Sequence, residues 1–515
     1  MQIALGRFPF AVLLAFTAAV PSAHARTLSS SGEEVEYRYE ASFRSLLRTA
    51  SPTPQEIKDA VEFHAEHVFG VFHSPEYAAP FGYPAELTEG FAGSQLPQTE
   101  NPQPFLKPGD PYLWIHYRAR ARMIVLKPVL EKWLGPARSA SVTLPLLVDL
   151  PAIYLDDLSA YRDRTWLRCT DTANSKPADF SYFYNPYRCP ELGKAPLAVA
   201  TEYHLTRIGP AASAPDEKLP LEILQSDNGN GPLVTFYLTF GFDHLPPNPS
   251  RRRIHQDVSW KLYQSLGKYL TETQGFTEMQ SASTFRDFLG EDAEHLDLQT
   301  PVTLTHDGQR RYFSTFAKKS DGKLWIVRAA LFDTTNELKS NPLRSFPKFW
   351  KEAWENGDFV YFSGHSGDGK SIQLGNLLKN LEKIDTDTIH FKRGKTQIAF
   401  FDSCSSYAYY QLPYAEKNPE GLSVVTFGLV SLFHLSEATL RAMLGTLLRP
   451  AHSDETWLGT LREIEKQELK PHMAALHDEP ERSRRYEAYL RQGLYPSLLL
   501  NVWLPEGAPS GPHPH

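Results

Sequence analysis

Two short apolar runs, each followed at once by residues that can do chemistry, constrain the fold of this chain most. The first run, Phe359–Ser363, leads into Gly-His-Ser-Gly at 364–367, and the second, Gln397–Phe401, leads into Asp-Ser-Cys at 402–404. Apolar runs of this length, bounded by Gly, Asp and Ser, are typical of buried strands in a parallel sheet. Reacting groups in such sheets lie just beyond the carboxyl ends of the strands. We therefore expect His365 and Cys404 to meet in one crevice.

The amino terminus has the pattern of a cleaved export signal. Arg7 supplies a positive charge, an apolar run follows from Phe8 to Val20, and Ala23-His24-Ala25 is a small-x-small cleavage site. The run has about 13 residues, whereas about 20 are needed to span a bilayer. The mature chain is therefore expected to begin near Arg26, to carry no transmembrane segment, and to act in a bacterial periplasm or as a secreted protein.

Composition narrows the class of protein. The chain has 515 residues, 41% of them hydrophobic and 22% charged, which suits a globular protein of two to three domains. The formal net charge of −7 gives no reason to expect nucleic acid as a partner.

The three cysteines have different surroundings. In an oxidising compartment thiols tend to pair, and Cys169 and Cys189 would close a loop rich in Asn, Asp, Ser and Pro. Cys404 is then left over at the end of a strand. It could be a small buried hydrophobic residue, but the polar residues on both sides of it favour a reactive thiol.

The order of patterns along the chain predicts two main parts. A helical and irregular segment (26–110) and a β-rich domain with the Cys169–Cys189 disulfide (111–249) follow the signal peptide (1–25). A Pro-rich linker at 244–249 precedes alternating helices and strands (250–504), typical of a three-layer α/β domain over a mainly parallel sheet. The tail, 505–515, is rich in Pro, Gly and His and is expected to be disordered.

Three chemistries compete for the stretch around His365. A Cys404–His365 dyad would use the imidazole to activate the thiol, and backbone N–H groups of Gly364, Ser366 or Gly367 could hold the oxyanion of acyl transfer. Residues 364–371 also match the phosphate-binding pattern G-x-x-x-x-G-K-[ST], although an export signal argues against a nucleotide. Residues 364–368 finally resemble the serine-hydrolase pattern G-x-S-x-G around Ser366, except that Asp368 stands where the pattern has its last Gly.

No metal or other cofactor is predicted. His64 and His67 are three residues apart, a spacing that can place two ligands on one helix face. No third ligand accompanies them in the sequence, and such pairs are usually ordinary helix residues.

The paired pattern resembles the caspase-like cysteine peptidases, the superfamily of caspases, legumains, gingipains, clostripain and separase. Their hallmark is a strand followed by His-Gly and a next strand followed by an acidic or polar residue, a small residue and the catalytic Cys. The resemblance covers roughly Ile254 to Leu504 and implies a caspase-like fold, with His365 as general acid/base and Cys404 as nucleophile. It also implies that Thr426, Phe427 and Gly428 lie near the substrate pocket. Ser366 stands where the family usually has Gly.

These patterns predict an exported cysteine endopeptidase that hydrolyses peptide bonds through a thioester acyl-enzyme and needs no cofactor. Its partner would be a peptide or protein substrate. The alternative is a catalytically inactive caspase-like protein that serves as a binding module of the cell envelope or surface.

Overall fold

Two β-sheets organise the chain. The structure is a computed structural model, and it describes residues 26–45, 47, 51–70, 92–110, 112–135, 141–149, 198–208, 217–226, 232–241, 257–291, 298, 300–306, 310–332, 346–366, 372, 389–391, 395–429, 431–451, 453–475, 480, 484 and 499–505. The predicted signal peptide, the 244–249 linker, the Cys169–Cys189 disulfide and nearly all of the 505–515 tail lie outside the described residues.

The larger sheet is parallel at its centre and antiparallel at both edges. Its order is β1 (Arg26–Ser29), β16 (Leu500–Leu504), β15 (Leu422–Phe427), β14 (Gln397–Asp402), β13 (Phe359–Ser363), β8 (Leu233–Gly241), β12 (Lys323–Phe332), β11 (Arg310–Ser320) and β10 (Leu304–His306), and β9 (Thr277–Glu278) pairs with β11. The five strands from β15 to β12 are all parallel to one another. This confirms the predicted α/β class and the mainly parallel sheet of the carboxyl-terminal half.

The smaller sheet is antiparallel throughout. Its order is β3 (Ala92–Ser94), β5 (Leu113–Leu126), β2 (Gly32–Arg44), β7 (Ala198–Arg207) and β6 (Ser141–Asp149), and β4 (Gln98–Leu106) pairs with β5. Helix α1 (Pro54–Gly70) covers one face, where Val61 and Ala65 join a core that contains Tyr39 and Tyr117. The predicted β-rich region ahead of the α/β part is therefore present as an antiparallel sheet.

The strands are distributed differently from the segments that the sequence suggested. β2 lies in the segment predicted to be helical or irregular, although its alternation of buried and exposed positions has the period of two that marks a half-buried strand. β8 lies in the segment assigned to the β-rich domain, yet it occupies the centre of the larger sheet. All of its residues are buried, as expected for a central parallel strand covered on both faces.

Helices cover both faces of the larger sheet. Apart from α2 (Lys127–Leu134), which packs on the smaller sheet, they are α3 (Leu221–Leu224), α4 (Val258–Lys268, continued by a π-turn at Tyr269–Thr273), α5 (Ala282–Leu289), α6 (Phe346–Asn356), α7 (Ser406–Tyr409), α8 (Gln411–Ala415), α9 (Ser436–Leu447) and α10 (Trp457–Ala475). Tyr237 of β8 packs on Phe349 of α6, whereas Phe240 packs on Tyr263 of α4. Residues three apart on a strand point to opposite faces, so α6 and α4 lie on opposite sides of the sheet.

An aromatic layer beneath α6 supports the strands that lead to the predicted site. Trp350 packs edge-to-face on Phe362 of β13, and Trp354 stacks on Phe401 of β14. Both tryptophans are fully buried, and burying a large apolar side chain contributes about 1.5–3 kcal/mol. The ends of β13 and β14 are therefore held in a rigid part of the core.

Candidate active site

The register of two neighbouring strands places His365 and Cys404 at one edge of the sheet. Ser363 is the register partner of Asp402 in the parallel pair β13–β14, and the Gly364 N–H extends the ladder by donating to the Asp402 carbonyl at 3.3 Å. His365 follows Ser363 by two residues, and Cys404 follows Asp402 by two. Because adjacent strands are about 4.8 Å apart, equal offsets bring these two backbones side by side beyond the carboxyl edge.

A tight turn carries Cys404 from β14 into α7. Ser405 adopts a left-handed conformation with φ 49°, which is uncommon for a residue other than Gly and lets the chain reverse within one residue. Its N–H donates to the Leu429 carbonyl at 2.8 Å. The Ser406 hydroxyl donates to the Phe401 carbonyl at 2.7 Å and accepts the Phe427 N–H at 2.8 Å. The turn is thus bonded both to its own strand and to the end of β15.

The loop at 431–435 contacts both residues of the predicted dyad. The half-buried Cys404 donates its S–H to the Ser431 carbonyl, with Sγ and O 3.8 Å apart. The His365 ring meets the Phe433 ring edge-on, with 5.1 Å between centroids. One segment of chain therefore sets the surroundings of the thiol and of the imidazole together.

Asp402, the last residue of β14, binds that loop to the sheet through its side chain. Its carboxylate is 2% exposed and accepts the Ser431 hydroxyl at 2.6 Å on Oδ1 and the Tyr361 hydroxyl at 2.7 Å on Oδ2. Burial raises the pKa of Asp402 above its usual range, and hydrogen bonds from Ser431, Tyr361, Ser436 and Ser363 act in the opposite direction. The sequence drew attention to Asp402 only as part of the motif, and it gave no signal for Ser431.

A second buried carboxyl group lies near Asp402 on α10. Burial, together with the negative charges of Glu465 and Asp402, raises the pKa of Glu468 to about 8, although the Thr439 hydroxyl donates to its Oε1 at 2.6 Å. At neutral pH the carboxyl group of Glu468 is therefore mainly neutral. No feature of the sequence distinguished this residue from the other charged positions of its helix.

The oxyanion donors predicted beside His365 differ in their availability. The Gly364 N–H is already bonded to the Asp402 carbonyl. Ser366 is buried, and its carbonyl accepts the Tyr410 hydroxyl at 2.8 Å. Gly367 lies outside the described residues, as does most of the phosphate-loop pattern at 364–371. An oxyanion donor taken from this segment remains a prediction, and Gly364 could serve only by giving up its present bond.

The three residues predicted near the substrate pocket are buried. Thr426 donates to the Asn501 side chain at 2.8 Å, and the Gly428 N–H donates to the Leu499 carbonyl at 3.2 Å. A Cβ added to Gly93 of β3 would lie 2.0 Å from the Gly428 carbonyl oxygen. Phe427 is fully buried as well. This strand end is thus packed between β16 and the smaller sheet, and its role in a pocket remains a prediction.

Side chains of the smaller sheet form hydrogen bonds to α7 and α8, the two helices that follow Cys404. Glu34 of β2 accepts the Tyr407 hydroxyl at 2.8 Å and the Thr27 hydroxyl at 2.9 Å on the same oxygen. Burial raises the pKa of Glu34, and the positive charge of Arg122 opposes that shift. The Gln95 amide donates to Gln411 of α8 at 3.0 Å. The helix that follows Cys404 is therefore bonded to the amino-terminal part of the chain.

In the part of the chain that is described, no three His, Cys, Asp or Glu residues lie close enough together to hold a metal ion. His64, one of the two histidines that hinted at a metal, is buried. Its Nδ1 lies 2.7 Å from the Tyr117 hydroxyl, and its ring stacks on Phe43. His67 has no described side chain.

A charged groove of about 470 Å³ begins at His434, within the loop at 431–435, and runs between α9 and α10. Arg441 pairs with Glu437 across 2.7 Å, and Gln467 donates to Glu463 at 2.8 Å. Arg449 pairs with Glu455. The wall therefore carries charges of both signs, two of its arginines being paired with carboxylates.

None of the described helices is both long and apolar enough to cross a membrane. Comparison of the chain with models of known protein families, with curated proteins and with solved structures finds no match in any of the three.

Proposed function

We propose that this chain is an exported cysteine endopeptidase with a caspase-like α/β domain, in which Cys404 is the nucleophile and His365 the general acid/base. The observation that carries the proposal is the equal offset of the two residues beyond Ser363 and Asp402, which are register partners in adjacent parallel strands. The caspase-like hallmark requires a His and a Cys beyond successive strands, and the order of β13 and β14 in the sheet is consistent with it.

The proposed reaction proceeds in two steps. The Cys404 sulfur, its proton taken by His365, attacks the carbonyl carbon of the scissile peptide bond, and His365 then protonates the departing amine. A thioester joins the acyl half of the substrate to Cys404. Water, activated by His365, next attacks the thioester, releases a carboxylic acid and restores the thiol. All the groups needed are supplied by the chain, the substrate and water.

The surroundings of Cys404 support a reactive thiol better than a packing role. The side chain is half-buried, and it lies in a turn at a polar strand end that is fixed on both sides by hydrogen bonds. A purely structural cysteine is usually enclosed by apolar groups and inert. Here the sulfur donates to a backbone carbonyl of the loop that also contacts His365.

Covalent labelling tests the proposal directly. Purified mature protein is treated with peptidyl acyloxymethyl ketones that carry Asp, Asn, Arg or Lys at the position preceding the reactive group, and adducts are read by intact mass. We expect one adduct on the wild type, with one of the four residues preferred, and none on Cys404→Ala. Circular dichroism of Cys404→Ala, which we expect to match that of the wild type, is the control for folding. Equal labelling of both proteins would contradict Cys404 as the nucleophile.

A non-catalytic binding module is the second candidate, and one observation favours it. The Gly364 N–H is engaged in the sheet, and the buried Ser366 follows His365 where the family usually has Gly, so the donors of an oxyanion hole are reduced. A folded wild type that takes no label from any of the four probes and cleaves no peptide library would favour this alternative.

Export is part of the proposal and has its own test. Removal of residues 1–25 would leave Arg26 at the new amino terminus, where β1 begins. Amino-terminal sequencing of the protein recovered from the periplasm of an expression host is expected to start at or near Arg26. Recovery of the intact chain from the cytoplasm alone would contradict export.

A further inference from the structure

We propose that Asp402 and Ser431 are positioning residues that clamp the loop at 431–435 over the thiol and the imidazole. The inference rests on the proposed function, because it concerns how the Cys404–His365 dyad is kept in its working geometry. Neither residue is expected to touch the substrate. Their role is to fix the segment of chain that contacts both members of the dyad.

Ser431 makes two contacts in different directions. Its side-chain hydroxyl donates to Asp402 Oδ1 at 2.6 Å, whereas its backbone carbonyl accepts the Cys404 S–H at 3.8 Å. When the hydroxyl is bonded to a fixed acceptor, the carbonyl of the same residue is held as well. The Asp402–Ser431 bond therefore restricts where the sulfur of Cys404 can point.

The same loop also restricts the imidazole. Phe433 follows Ser431 by two residues, and its ring lies edge-on to the His365 ring at 5.1 Å between centroids. Edge-to-face aromatic contacts favour a particular ring orientation. A shift of Ser431 would therefore be passed to Phe433 and would loosen His365 and Cys404 together.

Asp402 is a suitable anchor because it cannot move independently of the sheet. It is the last residue of β14, paired in register with Ser363, and its side chain is almost completely buried. The Tyr361 hydroxyl occupies its other oxygen at 2.7 Å. Hydrogen bonds to a carboxylate are stronger than those between neutral groups, so the loop is held to the rigid centre of the molecule.

Two of the hydroxyl donors to Asp402 give a matched experiment. Ser431→Ala and Tyr361→Phe each remove one hydroxyl from the same carboxylate, but only Ser431 belongs to the loop that contacts the dyad. Ser431→Thr keeps the hydroxyl and serves as the rescue variant. For each full-length protein, the alkylation rate of Cys404 by iodoacetamide is measured from pH 5 to 9 by mass spectrometry of its peptide. The kcat and KM are measured with the peptide selected by the labelling probes.

We expect Ser431→Ala to lower kcat roughly tenfold to a hundredfold, the loss typical of a misplaced catalytic group, with KM changed less than about twofold. The pH midpoint of its alkylation should move towards that of His365→Ala, because the imidazole no longer stays beside the thiol. Ser431→Thr should restore both values. Tyr361→Phe should reduce the denaturation midpoint and leave the pH midpoint of alkylation unchanged.

The alkylation profile separates this inference from the proposed function. A wild type that cleaves no peptide, with a Ser431→Ala profile still displaced and a Tyr361→Phe profile unchanged, would support the clamp and reject the peptidase. An active wild type with a Ser431→Ala variant equal to it in kcat and in alkylation would overturn the clamp alone. Equal displacement in Ser431→Ala and Tyr361→Phe would also overturn it, since the effect would then come from the charge of Asp402.

Discussion

The hydroxyl of Tyr407 donates to the carboxylate of Glu34 across 2.8 Å, in a fully buried position between the two sheets. Tyr407 lies on α7, three residues after Cys404, whereas Glu34 lies on β2 of the smaller sheet. Tyr407, Leu429 and Leu499 all belong to the hydrophobic core of that sheet. The turn that carries Cys404 therefore depends on the amino-terminal part of the chain for its support.

Tyr407→Phe removes the hydroxyl and leaves a buried carboxylate with one donor fewer. We expect a loss of about 1–3 kcal/mol in the free energy of unfolding, the usual effect of depriving a buried acceptor of its partner. Urea denaturation followed by fluorescence measures it.

The control for that prediction is a double-mutant cycle. Glu34→Ala combined with Tyr407→Phe should cost less than the sum of the two single changes, because the second change acts on a bond already lost. Additive effects, or a Tyr407→Phe variant within about 0.5 kcal/mol of the wild type, would show that the contact contributes little.

Gly93→Ala tests the close approach of the two sheets. The added methyl group would lie 2.0 Å from the Gly428 carbonyl oxygen, and both partners are backbone, so neither can turn aside. We expect a loss of about 1–3 kcal/mol in the free energy of unfolding, the usual cost of overpacking a tight interior. Labelling of Cys404 by the peptidyl probes should also slow, because Gly428 follows the strand that bonds to the turn of α7.

Gly445→Ala is the matched control for Gly93→Ala. Gly445 lies inside α9, and an added Cβ would meet the Tyr269 hydroxyl at 3.7 Å, an ordinary contact distance. Ala is favoured over Gly inside a helix by about 0.5–1 kcal/mol, so this variant should gain stability. Similar losses in both variants would contradict the specific contact at Gly428.

The apolar runs before His365 and Cys404 were readable from sequence because each is a short local pattern bounded by polar residues. Both runs are strands, and they are neighbours in the sheet. β8 was harder to place, since a run of β-branched and aromatic residues does not say which sheet it joins. Its position between β13 and β12 comes from pairings with strands that lie about 90 and 120 residues further along the chain.

The hydrogen bonds that hold the site in place could not be predicted from the sequence, because they join residues far apart along the chain. The Ser431–Asp402 bond joins residues 29 apart, and the Tyr407–Glu34 bond joins residues 373 apart. Ser431 and Glu34 have no unusual neighbours in the sequence. Only the packing of a loop over a strand end, and of one sheet against another, gives these residues a role.

His365→Ala tests whether the imidazole acts on the thiol. A neighbouring imidazole promotes ionisation of a thiol, so the rate of Cys404 alkylation in the wild type should be half-maximal at a pH below the ordinary value of about 8.5. In His365→Ala the midpoint should rise towards that value. Indistinguishable rates at pH 6 for the two proteins would contradict the dyad, whatever the outcome with peptide substrates. His204→Ala, on an exposed position of β7 in the smaller sheet, is the control and should leave the midpoint in place.

Glu468→Gln should make stability less dependent on pH. The pKa of Glu468 is about 8 in the folded chain and 4.5 in its ordinary state, so between these values the folded protein holds a proton that the unfolded chain releases. Wild-type stability should therefore fall as pH rises through this window. Glutamine cannot ionise and still accepts from Thr439. The free energy of unfolding of the variant, relative to that of the wild type, should therefore rise by up to about 3 kcal/mol between pH 5.5 and 8.5. Urea denaturation at several pH values measures the difference, and parallel curves for the two proteins would reject a neutral Glu468.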